Sequence, residues 1–512
     1  MSGSPVLPPP AAKLSPAKRS HSGRGLDSPV VDNPTPQQWL PPTSYATKSD
    51  KLVIVMVGLP ARGKSYITRR VSQYINFFYG TPIKVFNVGD VRRAEAGAFQ
   101  PASFFDPDNA EAAATRKRAS EVAMAQMCDW MASVAVPKGA AVDGAASPRS
   151  KTDFRSGDFG AVAFFDATNS TRERRAWILE RVRSSGLEGV KVIFIESILT
   201  DDSIVEANIL RAKVGVKDYA EIGDEEALRD FRERIAQYER VYESLGKGEE
   251  HLSWIRLVDG GREIGMNRIR GFLPTRVAAF LMNVHMERVP LYFSRHGQSE
   301  YNEMGKIGGD SGLTAHGEEY ARALGEWAGR VLLVDASGEP QLCRLWTSSL
   351  QRTIRTARHI PTPVVRGADG AEWVQMRPKV FRNLDEIYAG ICDGMTYEEI
   401  QDQYPQEAAA RRADKFTYRY PRGESYGDLI LRLEPIAHEI ERQREPLLIV
   451  AHQAILRVIY AYLMGISREE VIKVTIPLNT VFCVTPDSKG SRVEKFTLLD
   501  HPEGVVLDPA SH

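Results

Sequence analysis

Residues Lys51–Val57 read KLVIVMV, a single charge followed by six apolar positions. A short continuous apolar run of this kind predicts a strand buried on both faces. VAFFD at 162–166 and VKVIFIES at 190–197 repeat the pattern, with helical stretches between the runs. Strands separated by helices predict crossover units and a parallel sheet. A second set opens near Val289 with VPLYFS and continues with LCRLWTS at 342–348 and PLLIVA at 446–451. The pattern therefore predicts an α/β chain in two parts, 51–287 and 288–512, with no internal repeat.

Two segments break the pattern. Residues 1–50 hold 10 of the 30 prolines and eight serines, with almost no apolar periodicity. Such a stretch cannot bury enough surface to offset its chain entropy and is expected to be disordered. Its Ser-Pro steps at Ser4, Ser15 and Ser28, and the basic run AKRSHSGR, leave two readings open: a solvated tail, or one that regulatory protein kinases phosphorylate. Residues 138–159 are small and polar and are expected to form a flexible surface insertion.

The chain has 512 residues with 66 basic and 66 acidic side chains, so the formal charge is zero. That balance excludes a wholesale nucleic-acid or anionic-membrane coat but not local basic pockets. No apolar run reaches the roughly 18 residues of a membrane span, and MSGSPVLPPP does not read as a secretory signal. Cys128, Cys343, Cys392 and Cys483 are too widely spaced for a disulfide framework or a zinc pattern, so a cytosolic location is expected.

The first strand runs into GLPARGKS, Gly58, Leu59, Pro60, Ala61, Arg62, Gly63, Lys64 and Ser65, which matches G-x-x-x-x-G-K-[ST]. Glycines at this spacing let successive amides point at phosphate oxygens, and the following helix adds its positive end. Lys64 can then reach the outer phosphates and Ser65 can ligate Mg²⁺. VAFFDATN offers Asp166 at a second strand end, where the loop upstream favours a metal-organising role over a simple helix cap. TRERR, Thr171–Arg175, reads on spacing alone as a charged helix surface, as do Arg92 and Arg93. With Lys213 these cations could instead clamp a second, phosphorylated substrate.

In the second part, YFSRHGQSEYN places Arg295, His296 and Gly297 just beyond a strand, and IVAHQ places His452 at another strand end. Parallel sheets present reactive groups there. One imidazole attacking a phosphoryl group, with Arg295, Arg352 and His452 stabilising its oxygens, is the chemistry such a pair supports. Glu386 in NLDEIYAG is a candidate to protonate the leaving alcohol.

The ordered series GLPARGKS, NVGDVRR, FDATNSTRERR, RIAQYERVYESL, RHGQSEYN, IGGDSGLT, EIYAGICDGMTYEEIQDQYP, YRYPRGESY and AHQAILR, across 52–457, resembles the 6-phosphofructo-2-kinase/fructose-2,6-bisphosphatase family. The resemblance implies an adenylate-kinase-like P-loop domain followed by a phosphoglycerate-mutase-like histidine-phosphatase domain. In the first, it implies that Gly58–Ser65 and Asn208 hold ATP. Arg92, Arg116, Thr168, Arg174, Lys213, Arg234 and Tyr238 would hold fructose 6-phosphate. Lys64, Asp166 and Lys213 would be catalytic, Asp166 as base or, with Ser65, as metal ligand. In the second, it implies His296 as phosphorylated nucleophile, Glu386 as acid, and Arg295, Asn302, Gly308, Arg352 and His452 around the transferring 2-phosphate. Tyr397, Arg411, Lys415, Tyr426, Gln453 and Arg457 would hold the sugar and its 6-phosphate, with no metal. A homodimer is also implied.

Three positions depart from the animal pattern of that family. Leu199 stands where a cysteine is usual, Gln298 where a glutamate is common, and Tyr388 where an aspartate follows the acid. The resemblance implies a bifunctional activity, controlling glycolysis against gluconeogenesis. A largely monofunctional enzyme, or a metabolite-sensing pseudoenzyme scaffold, are the alternatives.

Overall fold

The structure, a computed structural model, describes residues 51–97, 100–134, 160–213, 223–285, 287, 289–335, 337–366, 370–487 and 490–500. The 1–50 tail and the 138–159 insertion lie outside them. The first sheet comprises β1 (Leu52–Val57), β2 (Ile83–Asn87), β3 (Val162–Asp166), β4 (Lys191–Ile198), β5 (Trp254–Val258) and β6 (Glu263–Asn267). Their order is β2-β3-β1-β4-β5-β6, parallel except that β6 runs against β5. Central β1 has no exposed residue, as its uninterrupted apolar run requires.

The second sheet takes β7 (Leu291–Arg295), β8 (Cys343–Thr347), β11 (Met376–Val380), β12 (Leu447–Ala451), β13 (Thr480–Asp487) and β14 (Gly490–Thr497), while β9 (Val364–Arg366) and β10 (Glu372–Val374) form a separate hairpin. The order is β11-β8-β12-β7-β13-β14, with β13 and β14 antiparallel. All six strands expected from apolar runs are present within two residues of their predicted ends. Of the strands that the pattern does not announce, β2, β6, β11 and β14 lie at sheet edges, while β5 and β13 are paired on both sides. IKVFN of β2 and GSRVEKFT of β14 keep charged residues because much of each strand faces solvent.

The helix Lys64–Tyr79 leaves the phosphate loop and buries Ile67, Val71, Tyr74, Ile75, Phe77 and Phe78. It packs on helix Phe272–Leu281 of its own half and on helices Tyr426–Glu441 and Gln453–Met464 of the second. One continuous apolar cluster therefore spans both sheets, running from Leu52 through Tyr74 and Phe280 to Leu433 and Tyr462. Three of the buried polar side chains of the helix, Arg70, Tyr74 and Tyr79, find partners across this seam. Arg70 pairs with Glu441, which also accepts from Tyr462 Oη at 2.7 Å. Tyr74 donates to Glu434 at 2.6 Å, and Tyr79 donates to the same carboxylate.

Arg70→Ala strands the Glu441 carboxylate in the core. It is expected to cost about 3–5 kcal/mol, read as a lowered denaturant midpoint, whereas substitution at exposed Arg172 leaves the midpoint near its original value.

Candidate active sites

The first site is built at the carboxyl ends of β1, β3 and β4. Gly58 has φ 137°, and a Cβ there would lie 2.5 Å from Ser197 O, so only glycine lets the loop leave β1 against β4. The amide of Gly58 donates to Thr168 O at 3.0 Å, and Asn169 Nδ2 donates to Met56 O at 2.7 Å. Asn208 Nδ2 donates to Ala61 O at 3.0 Å, pinning the crest of the loop, and Ser197 Oγ donates to Arg62 O. Lys64 Nζ folds onto Leu59 O at 2.6 Å. Burial, partly offset by Asp166 and reinforced by Arg234 and Arg62, brings its pKa down to about 8.

Asp166 ends β3 and is almost fully buried. Its Oδ2 accepts from Ser65 Oγ at 3.1 Å and from Asn87 Nδ2 at 2.9 Å. Burial raises its pKa, against Lys64 and these two donors. Ser65 and Asp166 together form an all-oxygen pair of the kind a hard cation such as Mg²⁺ prefers.

Beside this pair stands a cage of cations that the sequence pattern could not assemble. Its hub is the short 3₁₀ turn Ala102–Phe105. The Arg234 guanidinium lies 3.8 Å and Arg92 5.2 Å from the Phe105 ring centroid, and Arg116 lies 5.9 Å from that of Phe104. The ring of Tyr238 is 5.9 Å from that of Phe105. Arg174 stacks 4.1 Å over Trp177 and lies 5.8 Å from the ring of Phe165, the residue before Asp166 in β3, and burial lowers its pKa to about 10. Aromatic faces hold the guanidinium groups without neutralising them, which leaves their charge for an anion. Lys213 is the last residue of the helix Asp202–Lys213.

TRERR is not the charged surface that its spacing suggests. Arg174 lies against the rings of Trp177 and Phe165, while Arg175 is fully buried and bidentate to Glu249 at 2.8 and 2.6 Å, a structural pair. Of its three arginines only Arg172, half exposed and paired with Glu243, behaves as expected. Arg93 pairs with Asp90 at 2.6 Å. Leu199 is buried in a small apolar cluster with Val205, Ile209 and Ile235 that packs against Ala61.

The second site lies at the carboxyl ends of β7, β8 and β12. A Cβ on Gly297 would meet Gly317 O at 2.4 Å, so the turn after His296 admits only glycine. His296 Nδ1 donates to Gly297 O at 2.7 Å, since a carbonyl can only accept. Its Nε2 therefore carries a lone pair and accepts from Arg352 Nε at 3.2 Å. The same Nε–H is shared with His452 Nδ1 at 3.2 Å, and the two imidazole centroids are 5.1 Å apart. Burial first, then Arg352, lowers the pKa of both histidines well below the ordinary value. Both rings are neutral near pH 7.

These groups open into a cavity of ≈ 180 Å³. Arg295, His296, Asn302, Gly308, Arg352, Glu386, Tyr397, Arg411, Lys415, Tyr426, Gln453 and Arg457 all line it. His452 is fully buried behind Arg352. Arg295 donates to Ile476 O at 3.0 Å, and burial lowers its pKa to about 10. Arg411 donates to Tyr397 Oη and Arg457 to Tyr426 Oη, both at 3.2 Å, so each distal cation is oriented by a phenol. Glu386 Oε1 accepts from the amide of Ile387 at 2.9 Å, beside the cavity.

Asn302 turns its Oδ1 to the amide of Ser299 at 3.1 Å and so caps its own helix. Gln298 does not line the cavity: it is buried and accepts from Thr314 Oγ1 at 3.0 Å. Tyr388 does line it, half exposed, with its amide on Glu424 at 3.0 Å. Sequence reasoning missed Tyr301, Lys306 and Tyr420 on the cavity wall, and Ser348 behind His452. Of these only Ser348 carried a signal, lying four residues before Arg352 in TSSLQR.

Comparison with known proteins yields two family models. One, described as 6-phosphofructo-2-kinase, matches residues 42–138 and 151–288. The other, described as histidine phosphatase superfamily (branch 1), matches residues 291–498. The chain is 41% identical over 464 residues to 6-phosphofructo-2-kinase/fructose-2,6-bisphosphatase 1 of Rattus norvegicus, covering 89% of this chain and 88% of that protein. It is 40% identical over 448 residues to the form numbered 3 of Homo sapiens, covering 87% of this chain and 76% of that protein. Among solved structures, the alpha-ribazole phosphatase from Shigella flexneri aligns at 22% identity and TM-score 0.34, over 41% of this chain and 96% of that chain.

His296 and His452 are neutral in the fold but take protons in the unfolded chain below about pH 6.5. Stability is expected to fall as pH drops through that value, by up to about 1.4 kcal/mol per pH unit for each histidine. His296→Gln should make the fall shallower, measured by urea unfolding at pH 7 and pH 5.

Proposed function

The chain belongs to the 6-phosphofructo-2-kinase/fructose-2,6-bisphosphatase family, and from that premise we propose which residues carry each of its two reactions. It is a bifunctional enzyme that makes fructose 2,6-bisphosphate from ATP and fructose 6-phosphate and hydrolyses it to fructose 6-phosphate and phosphate. One observation supports the assignment: cationic and hydrogen-bonding groups gather beyond the carboxyl ends of the strands in each half.

In the kinase half, the amides of Gly58–Ser65 and the Lys64 ammonium take the ATP phosphates, with Asn208 bracing the loop. Arg92, Arg116, Thr168, Arg174, Lys213, Arg234 and Tyr238 take fructose 6-phosphate. Phosphoryl transfer needs mainly alignment and charge neutralisation, which suits a cage of stacked guanidinium groups. Ser65 and Asp166 would hold Mg²⁺, which when bound neutralises phosphate charge. Asp166 also keeps Lys64 charged beside the loop.

In the phosphatase half, His296 Nε2 attacks the phosphorus of the 2-phosphoryl group. The N–P bond forms, the bond from phosphorus to the sugar oxygen breaks, and Glu386 delivers its proton to that oxygen. Water then cleaves the N–P bond. Arg295 and Arg352 surround the transferring oxygens, His452 holds Arg352 from behind, and Asn302 and Gly308 shape the wall beside them. Arg411, Lys415 and Arg457, with Tyr397, Tyr426 and Gln453, hold the 6-phosphate end. The neutral His296, bare at Nε2 because Nδ1 is engaged, supports this role. The four cysteines are unpaired, which supports a reducing, cytosolic setting. Among the described residues no helix is long and apolar enough to cross a membrane.

Lys64→Ala is expected to lower synthesis by at least roughly 10²-fold while hydrolysis persists, and His296→Ala to do the reverse. Loss of both activities from either single change in a folded protein would count against two separate sites. Incubation with labelled fructose 2,6-bisphosphate should leave acid-labile label on His296, and none on His296→Ala.

Because the Lys64 pKa is about 8 in the free enzyme, it loses its charge as pH rises through that value. kcat/KM for ATP should therefore decline above about pH 8, where hydrolysis does not follow it.

A further inference from the structure

The mechanism gives no work to the hydroxyls behind His452. Ser348 Oγ lies 2.7 Å from His452 Nε2 and 2.8 Å from Thr353 Oγ1, and it accepts from the amide of Leu350 at 3.2 Å. Ser348, Thr353 and His452 are all fully buried, so bulk water cannot substitute for any of these partners.

The direction of each proton follows from the far end of the chain. Thr353 Oγ1 is 2.8 Å from Leu350 O and 3.2 Å from Ser348 O, and carbonyl oxygens only accept, so Thr353 donates to them. Thr353 has one proton, so its oxygen must accept from Ser348. Ser348 has then used its own proton and can only accept from His452. The Nε2 of His452 is therefore protonated and its Nδ1 is bare, in register with the Arg352 Nε–H that it accepts at 3.2 Å. Every donor in this series has an acceptor.

We propose that Ser348, backed by Thr353, is a positioning residue of the phosphatase reaction: it locks His452 in the Nε2–H tautomer and so holds the Arg352 guanidinium between the two imidazoles. The inference rests on the phosphatase reading above. Which imidazole nitrogen carries the proton is decided by the partner of the other. In the opposite tautomer His452 Nδ1–H would point at Arg352 Nε–H, donor against donor. The guanidinium would then swing away, losing its contact with His296 Nε2 and its aim at the transferring oxygens. Arg352 NH1 donates to Gly309 O at 2.6 Å, which fixes the other end of the group. Ser348 thus supplies the second restraint that a planar guanidinium needs.

The test uses the full-length enzyme with Ser348→Ala, Ser348→Thr and Thr353→Val. Hydrolysis kcat and KM, synthesis in the same preparation, and the imidazole N–H resonances by ¹⁵N NMR are measured. Ser348→Ala is expected to lower hydrolysis kcat roughly 10–100-fold, with KM little changed, synthesis intact and the hydrogen-bonded Nε2–H resonance of His452 lost. Ser348→Thr, which keeps the acceptor, should restore most of the rate and the resonance. Thr353→Val frees the Ser348 hydroxyl to rotate and should give an intermediate loss. Unchanged hydrolysis in Ser348→Ala, or a loss in which the Nε2–H resonance persists, would overturn the proposal. If Ser348→Ala loses both activities together, Thr353→Val decides: hydrolysis at the original rate overturns the proposal, and a several-fold loss with an altered resonance supports it. The tautomer is read without turnover, so a protein that hydrolyses nothing overturns the phosphatase reading while leaving the hydrogen-bond assignment measurable.

Discussion

The helix that leaves the phosphate loop is buried along most of its length, and it carries polar groups that cannot be buried alone. Arg70, Tyr74 and Tyr79 need partners where there is no water, and Glu441 and Glu434 of the second half provide them. An unpaired buried charge costs several kcal/mol, whereas a paired one costs little. The helix is therefore fixed in one register against helices Tyr426–Glu441 and Gln453–Met464. Its first turn holds Lys64 and Ser65, and the second of those partner helices begins with Gln453 and carries Arg457. The two sites share one packed interior although their chemistry is separate.

Each site then solves the same electrostatic problem by different means. A phosphoryl group needs several cations within a few ångströms, and those cations repel one another before it arrives. In the kinase half, aromatic faces at Phe104, Phe105 and Trp177 support the guanidinium groups without consuming their charge. In the phosphatase half, backbone carbonyls and phenols orient them, as Ile476 O does for Arg295 and Tyr426 Oη for Arg457. Burial depresses the pKa of Lys64, Arg174 and Arg295, which expresses the cost of holding these charges ready. On the proposed assignment, an incoming phosphate relieves that cost and its binding is favoured by the relief.

Much of this was legible in the residues. Apolar runs located six of the eight inner strands because a strand covered on both faces tolerates little charge, while β5 and β13 escaped together with the edge strands, which keep charges toward solvent. The groups at strand ends could be named from their motifs, and twelve of those expected around the second site line one cavity. The basic run Thr171–Arg175 was misleading for a physical reason. Neighbouring arginines on a helix point in different directions, so one reached solvent, one settled on the rings of Trp177 and Phe165, and one was buried against Glu249, 74 residues away in sequence.

The sequence by itself determined the two sheets, their order along the chain, the phosphate loop and the histidine pair, because each depends on short-range pattern: uninterrupted apolar runs, glycines where a Cβ cannot fit, and reactive residues set just past a strand. Only the tertiary structure decided which arginines are structural, which nitrogen of each histidine is bare, and how the halves are joined. Those outcomes depend on the partner that each buried polar group finds, and the partner comes from another strand, another helix or the other half of the chain.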